Sequence, residues 1–312
     1  MSDAVLTLED LGRLTGRSLS QVARALKGHT LPPLPYRELR DDEARDIAAG
    51  VERTIREDNL RRSGDDDPTV WVRGWGEVAA RLRDHPITEE ALRPQYFRGE
   101  PTCRLFGRYI RPLNPDFEYD VGLALRRIIF DEFAKDHASI VEFGCGTGIN
   151  VLLLTERFPS AHLVGTDWAP VSKDILTEMA RQRSRPISGE VFNMLTARGW
   201  DGRAIDRGTL CLTVHAMEQL GTAWQPFADF LTERKPGLCL HIEPIFELYD
   251  GASPFDTRAQ RYHEKRGYLR GFHPYVLNLC REGKGELVAS RRVAFGGLYH
   301  EAYSVLAWRP GG

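Results

Sequence analysis

The chain has no hydrophobic run approaching the roughly eighteen apolar residues that a membrane span needs, and no charged leader followed by a short apolar core. Neither membrane insertion nor secretion is expected. It has no excess of basic charge either: 42 Lys and Arg against 44 Asp and Glu leave a net charge of −2. Proteins that hold nucleic acid or anionic membranes use a basic face to replace counterions, so this balance disfavours both partners. The five cysteines, at 103, 145, 211, 239 and 280, are odd in number and show no C-x-x-C spacing. That argues against a disulfide framework and for reduced core residues in a cytoplasmic protein. Repeats are absent, and the one biased tract is the short acidic Gly64-Asp65-Asp66-Asp67-Pro68. What remains is 312 residues, 42% of them hydrophobic, enough for one main domain and a smaller attached one.

The densest signal is Ile140-Val141-Glu142-Phe143-Gly144-Cys145-Gly146-Thr147-Gly148. Ile140, Val141 and Phe143 suit a strand covered on both faces, and the glycines after it let the backbone turn sharply and approach a ligand where a Cβ would collide. A dinucleotide fingerprint G-x-G-x-x-G would need a third glycine where Ile149 stands, so the spacing does not fit that class.

The spacing E-x-G-x-G-x-G instead resembles motif I of the class I S-adenosylmethionine-dependent methyltransferases. The resemblance implies that Gly144, Cys145, Gly146 and Gly148 lie against the methionine part of the cofactor and that Glu142 helps to hold that end. It also implies that the acid closing the next strand, Asp167 after His162-Leu163-Val164-Gly165-Thr166, grips the ribose diol, with Trp168 beside it. Asn193 and Met194, after a third strand Gly189 to Phe192, would border the adenine. Arginines alternate with aromatics in Tyr96-Phe97-Arg98-Gly99 and in the stretch from Arg104 to Tyr109. In many class I enzymes the segment before motif I covers the cofactor, so Arg98 or Arg108 is a candidate partner for its carboxylate.

From about Ser139 strands and helices alternate, the signature of a doubly wound, mostly parallel α/β sheet. Val171, Ile175 and Met179 mark one face of a crossover helix; Thr209 to Val214 and Leu238 to Ile242 read as strands four and five. Glu286 to Phe295 and Ala302 to Trp308 read as an antiparallel C-terminal strand pair, completing the seven-stranded sheet that the resemblance implies. The S-adenosylmethionine-binding domain is thus expected over 139–312, with a substrate-covering insertion around 246–285. Residues 1–138 are expected to form an α-helical region that acts as lid, cofactor cover or homodimer contact. Within it, Thr7 to Gly28 has the cadence of a helix-turn-helix, yet Met1 to Gly28 carries four basic and three acidic side chains, too balanced for a DNA-reading surface.

In such a sheet ligands gather beyond the C-terminal strand ends, where His215 and Glu218 follow strand four and Glu243 and Glu247 follow strand five. These four are the candidate catalytic residues. The carboxylates Glu218, Glu243 and Glu247 suit a cationic nitrogen, an amine or guanidino group such as that of arginine, by binding and orienting it. His215 suits a second chemistry, removal of a proton from a hydroxyl of a sugar or specialised metabolite. The first expectation is therefore S-adenosyl-L-methionine-dependent methylation of a small polar molecule at nitrogen, releasing S-adenosyl-L-homocysteine. The alternatives are O-methylation and, in a different class, a DNA-binding S-adenosylmethionine sensor. No metal is expected, because His241 and Glu243 lack a third ligand.

Overall fold

A computed structural model describes residues 3–57, 60, 62–63, 69–82, 85–94, 101–201 and 204–311. The stretch 95–100, which contains Arg98, and the acidic tract 64–68 lie outside the described residues.

From Ser139 onward the expected alternation is present. In chain order, the first part runs β1 (Asp3–Val5), α1 (Leu8–Thr15), α2 (Leu19–Ala25), β2 (Pro35–Glu38), α3 (Asp41–Arg56), α4 (Thr69–Leu82), β3 (Cys103–Leu105), β4 (Arg108–Pro112) and α5 (Phe117–Phe133). The second part runs β5 (Ser139–Phe143), α6 (Ile149–Arg157), β6 (His162–Asp167), α7 (Val171–Arg183), β7 (Ile187–Val191) and β8 (Thr209–Val214). It continues with α8 (Gln225–Arg234), β9 (Leu238–Glu243), α9 (Pro254–Arg266), α10 (Phe272–Arg281), β10 (Gly285–Arg291), β11 (Phe295–Gly296) and β12 (Ser304–Pro310).

The large sheet has seven strands in the order β10-β12-β9-β8-β5-β6-β7. The five strands β5 to β9 run parallel to one another, and β12 pairs antiparallel with both β9 and β10. Side chains on a strand alternate between faces, and here both faces are covered. Ile140, Leu163, Leu210, Leu212, Leu240, Val305 and Ala307 join the core shared with α5, α6 and α7. Their neighbours Val141, Phe143, Val164, Cys211, Cys239, Leu306 and Trp308 face the other way, onto α8 and α10. Phe143 anchors that second layer, with ring centroids of Phe227 at 5.0 Å and Phe192 at 5.2 Å, both edge-on.

The N-terminal region carries the expected helices and, in addition, a small sheet in the order β1-β2-β4-β3-β11. Its last strand, β11, comes from the C-terminal stretch. The segment expected as one long strand from Glu286 to Phe295 therefore splits: β10 ends at Arg291, and Phe295–Gly296 crosses to pair with Leu105 and Arg104. Arg292, at the break, is held by both Asp256 and Glu301, which pulls the chain off the large sheet.

Helices α1 and α2 begin with capping boxes at Thr7 and Ser18, and a left-handed Gly16 closes α1. The pair buries Leu11, Leu14 and Val22 and packs on α5. Arg24 of α2 donates to Asp131 of α5 at 2.9 Å, and Arg17 is paired with Glu132 of the same helix. The helix pair thus spends both its apolar and its cationic side chains within the chain.

Candidate active site

The C-terminal ends of β5, β6 and β8 converge on a cavity of about 310 Å³, within the range of small-ligand sites. Gly144 of the glycine turn lines it, whereas Cys145, Gly146 and Gly148, expected beside it, do not: Trp75 covers Gly146, and Leu176 packs on Gly148. Gly144, Gly146 and Gly148 have φ of 75°, 54° and 79°, values that favour glycine. The space above them is equally restrictive: a Cβ on Gly144 would lie 2.4 Å from Ala216 Cβ, and one on Gly146 would lie 3.0 Å from the Trp75 ring. Two amides of the turn, those of Gly144 and Cys145, donate to the Thr166 carbonyl at 2.8 Å, stapling the turn to the end of β6.

Asp167 closes β6 and lies on the cavity wall. Its carboxylate accepts from the Gly146 amide and the Ala169 amide, each at 2.9 Å, one per oxygen. Burial pushes its pKa up to about 6, against the lowering effect of those amides. A carboxylate oxygen accepts more than one hydrogen bond, so Asp167 retains lone pairs for a ligand. Trp168, Asn193 and Met194 also line the cavity, as the resemblance implies. Asn193 turns its Oδ1 back to the Leu195 amide at 2.8 Å, forming a local side-chain turn.

Other expected residues are placed differently. Glu142 is 1% exposed and does not line the cavity; it accepts from Asn150 Nδ2 at 2.6 Å, and Asn150 in turn accepts from buried Arg126. Burial raises its pKa to about 8, and its second oxygen has no partner. Arg108 is corrected outright: it is exposed on the small sheet and pairs with Glu38 at 2.5 Å, away from the cavity wall, because the buried positions of β4 are taken by Tyr109 and Ile110. The cations on the cavity wall are Arg62 and Arg266.

The acids after strand five also have structural work. Glu243 is fully buried and accepts from the amides of Ala216 and Met217 at 3.1 Å and of Glu218 at 3.2 Å, capping the short 3-10 turn Met217–Leu220. The Thr213 hydroxyl donates to it as well, lowering its pKa against a burial effect that raises it to about 7. Behind Thr213 stands His241, bonded to Thr213 Oγ1 at 3.0 Å and accepting from Trp308 Nε1 at 3.1 Å. Indole N–H only donates, so His241 Nε2 is the bare nitrogen and Nδ1 carries the proton. Glu247 accepts from the Gly271 amide at 2.7 Å and joins the insertion to strand five. Glu218 is paired with Gln219 at 2.8 Å, and burial together with nearby Glu243 lifts its pKa to about 8.

His215 is the one candidate catalytic residue on the cavity wall. Its φ of 52° is unusual for a residue with a side chain, and such strain concentrates at working sites. Its amide is bonded to the Ile242 carbonyl at 3.0 Å, and its ring meets Tyr303 edge-on at 4.7 Å. Burial and the Arg126 charge hold its pKa down, to about 3, so the ring is neutral. Its Nε2 is buried without a partner among the described residues.

Trp71 and Trp75, which close the cavity from α4, were missed by sequence reasoning. Their four-residue spacing in Thr69–Leu82 marks a helical face but does not say what that face covers.

No protein-family model matches the chain, and no curated protein matches it in sequence. Among solved structures, a coclaurine N-methyltransferase bound to N-methylheliamine and SAH is 15% identical over 91% of this chain and 74% of its own, with a TM-score of 0.42. An rRNA methylase from Escherichia coli is 12% identical over 98% of this chain and 100% of its own, with a TM-score of 0.43. The 4+2 cyclase SpnF is 12% identical over 62% and 83%, with a TM-score of 0.45. Resemblance at this level concerns shape and nothing finer. By its own strand order and the glycine turn on its central strand, the chain has a methyltransferase-like α/β fold.

Proposed function

We propose that the chain methylates the oxygen of a small molecule, using S-adenosyl-L-methionine and releasing S-adenosyl-L-homocysteine. The observation that carries this reading is the cavity over the glycine turn, with Asp167 and His215 both on its wall. S-adenosylmethionine supplies an electrophilic methyl group on a sulfonium sulfur. The residues present fit that group. Asp167 is aligned by two amides and presents lone pairs suited to a ribose diol. Trp75 and Trp168 offer aromatic faces for a flat base or a cationic sulfur, and Arg62 and Arg266 supply cations for a carboxylate.

The choice of oxygen over a cationic nitrogen follows from where the carboxylates go. None of Glu218, Glu243 and Glu247 lines the cavity: Glu243 accepts from three amides and the Thr213 hydroxyl, Glu247 accepts from the Gly271 amide, and burial together with nearby Glu243 raises the Glu218 pKa to about 8. Among the described residues, Asp167 is the carboxylate on the cavity wall, with no cluster beside it to hold a cation. His215 has an Nε2 with no partner among the described residues and is placed to take a proton from an acceptor hydroxyl, a role that requires bound cofactor and acceptor to raise a pKa that burial holds at about 3. A helix pair that is already paired internally favours a small-molecule acceptor over nucleic acid. The described residues include no helix long and apolar enough to cross a membrane.

Incubation with methyl-labelled cofactor and a matched panel of hydroxyl, amine and guanidine compounds tests the reading. Label on oxygen, lost in His215→Ala, supports it; label on a guanidine or amine, insensitive to that change, overturns it.

A further inference from the structure

A second cavity, of about 370 Å³, adjoins the first, sharing Arg62, Ser63 and Leu220 as a common wall. It lies under the insertion after strand five, and its wall includes His263 of α9. His263 is 1% exposed, and neither of its ring nitrogens has a partner among the described residues. Buried polar groups are almost always satisfied, so an imidazole with two unmet nitrogens beside a cavity points to a ligand that meets them. Its surroundings within the chain do not: the rings of Tyr249 and Tyr268 at 5.5 Å and of His300 at 5.3 Å all meet it edge-on. Burial, with the nearby Arg104 charge, holds the His263 pKa well down, so the neutral ring offers one donor and one acceptor on different edges, either of which a ligand hydroxyl can meet. Phe246 and Tyr268 give the cavity aromatic walls. Arg62, Arg270 and Glu264 also line the cavity; Arg270 is paired with Glu264 at 3.2 Å and lies 4.8 Å over the Phe246 ring.

We propose that this second cavity anchors the acceptor, a hydroxylated aromatic acid, with the ring against Phe246 and Tyr268, an anchoring hydroxyl on one nitrogen of His263 and the carboxylate toward Arg62 and Arg270; this hydroxyl is distinct from the oxygen that His215 serves in the first cavity. The proposal rests on the methyl-transfer reading for its biological meaning, but the binding claim stands on this cavity alone. The insertion then sets substrate class, while the glycine turn sets the cofactor.

The test is calorimetric titration of the full chain, saturated with S-adenosylhomocysteine, with 4-hydroxybenzoate, benzoate and tyramine. The expected order is 4-hydroxybenzoate first, benzoate weaker by about tenfold or more for want of the hydroxyl, and tyramine without saturable binding. His263→Phe should remove the tenfold preference for the hydroxyl. Arg270→Gln, at an exposed position, should weaken both acids and serves if the histidine variant does not fold. Equal affinity for the two acids, preference for tyramine, or no saturable binding of 4-hydroxybenzoate overturns the proposal. Failure of S-adenosylhomocysteine itself to bind, measured separately, would instead sink the reading of the first cavity.

Discussion

The amide of Gly146 donates to Asp167 Oδ2 at 2.9 Å, so the glycine turn after the first parallel strand and the acid closing the second form one rigid unit. The two lie far apart on the chain and are brought together because β5 and β6 are parallel neighbours in register, Phe143 opposite Thr166. Asp167→Ala removes the brace on the turn and the carboxylate proposed to hold the ribose. Hydrogen bonds to charged groups contribute about 1.5–3 kcal/mol, so affinity for S-adenosylhomocysteine should fall by roughly 10- to 100-fold, read by calorimetry.

Gly144 tests the close approach. Gly144→Ala places a Cβ 2.4 Å from Ala216 Cβ at a φ of 75°. Backbone strain of this kind costs on the order of 1–3 kcal/mol, and the collision adds to it. The melting temperature should fall, and the double variant Gly144→Ala, Ala216→Gly should recover the part due to collision while keeping the part due to φ.

Glu142 gives a pH signature. Its carboxyl, raised in the folded chain to about 8 from an ordinary 4.5, holds its proton more tightly when folded. Its contribution is fully present below pH 4.5 and is lost as pH rises toward 8, since the unfolded chain binds fewer protons across that window. Glu142→Gln keeps an oxygen for Asn150 and cannot ionise. The variant should therefore gain stability relative to the parent at pH 8 and none at pH 4, measured by urea unfolding at both.

His215 and Glu243 should separate by type of defect. His215→Ala should lower turnover by about 10²- to 10⁴-fold with cofactor affinity kept, as expected for loss of a proton acceptor. Glu243→Gln leaves the hydrogen-bond acceptor oxygen but weakens the cap on Met217–Leu220, and should lower thermal stability first. Equal losses of turnover with no change in stability in both variants would contradict the division of roles.

The parallel strands and the glycine turn were legible because each depends on local pattern: a short apolar run, an acid, and glycines where side chains collide. Glu243 was legible as a strand-end acid, but the sequence is the same whether that acid meets a ligand or three amides of the next turn. Arg108 misled for a similar reason, since an arginine beside an aromatic also suits strand β4, where Tyr109 is buried and Arg108 exposed. The small sheet was hidden by its short strands and by a member, Phe295–Gly296, that arrives from the far end of the chain. Arg62, Trp75 and Arg266 reach the cavity from elements whose positions only tertiary packing decides.

The most direct measurement of the central claim is calorimetric binding of S-adenosylmethionine to the purified chain, beside Asp167→Ala and Gly144→Ala. Saturable uptake at one site per chain, weakened in both variants while His263→Phe binds normally, is the predicted result. No uptake by the parent chain, or uptake that neither variant alters, would contradict a cofactor site at the glycine turn.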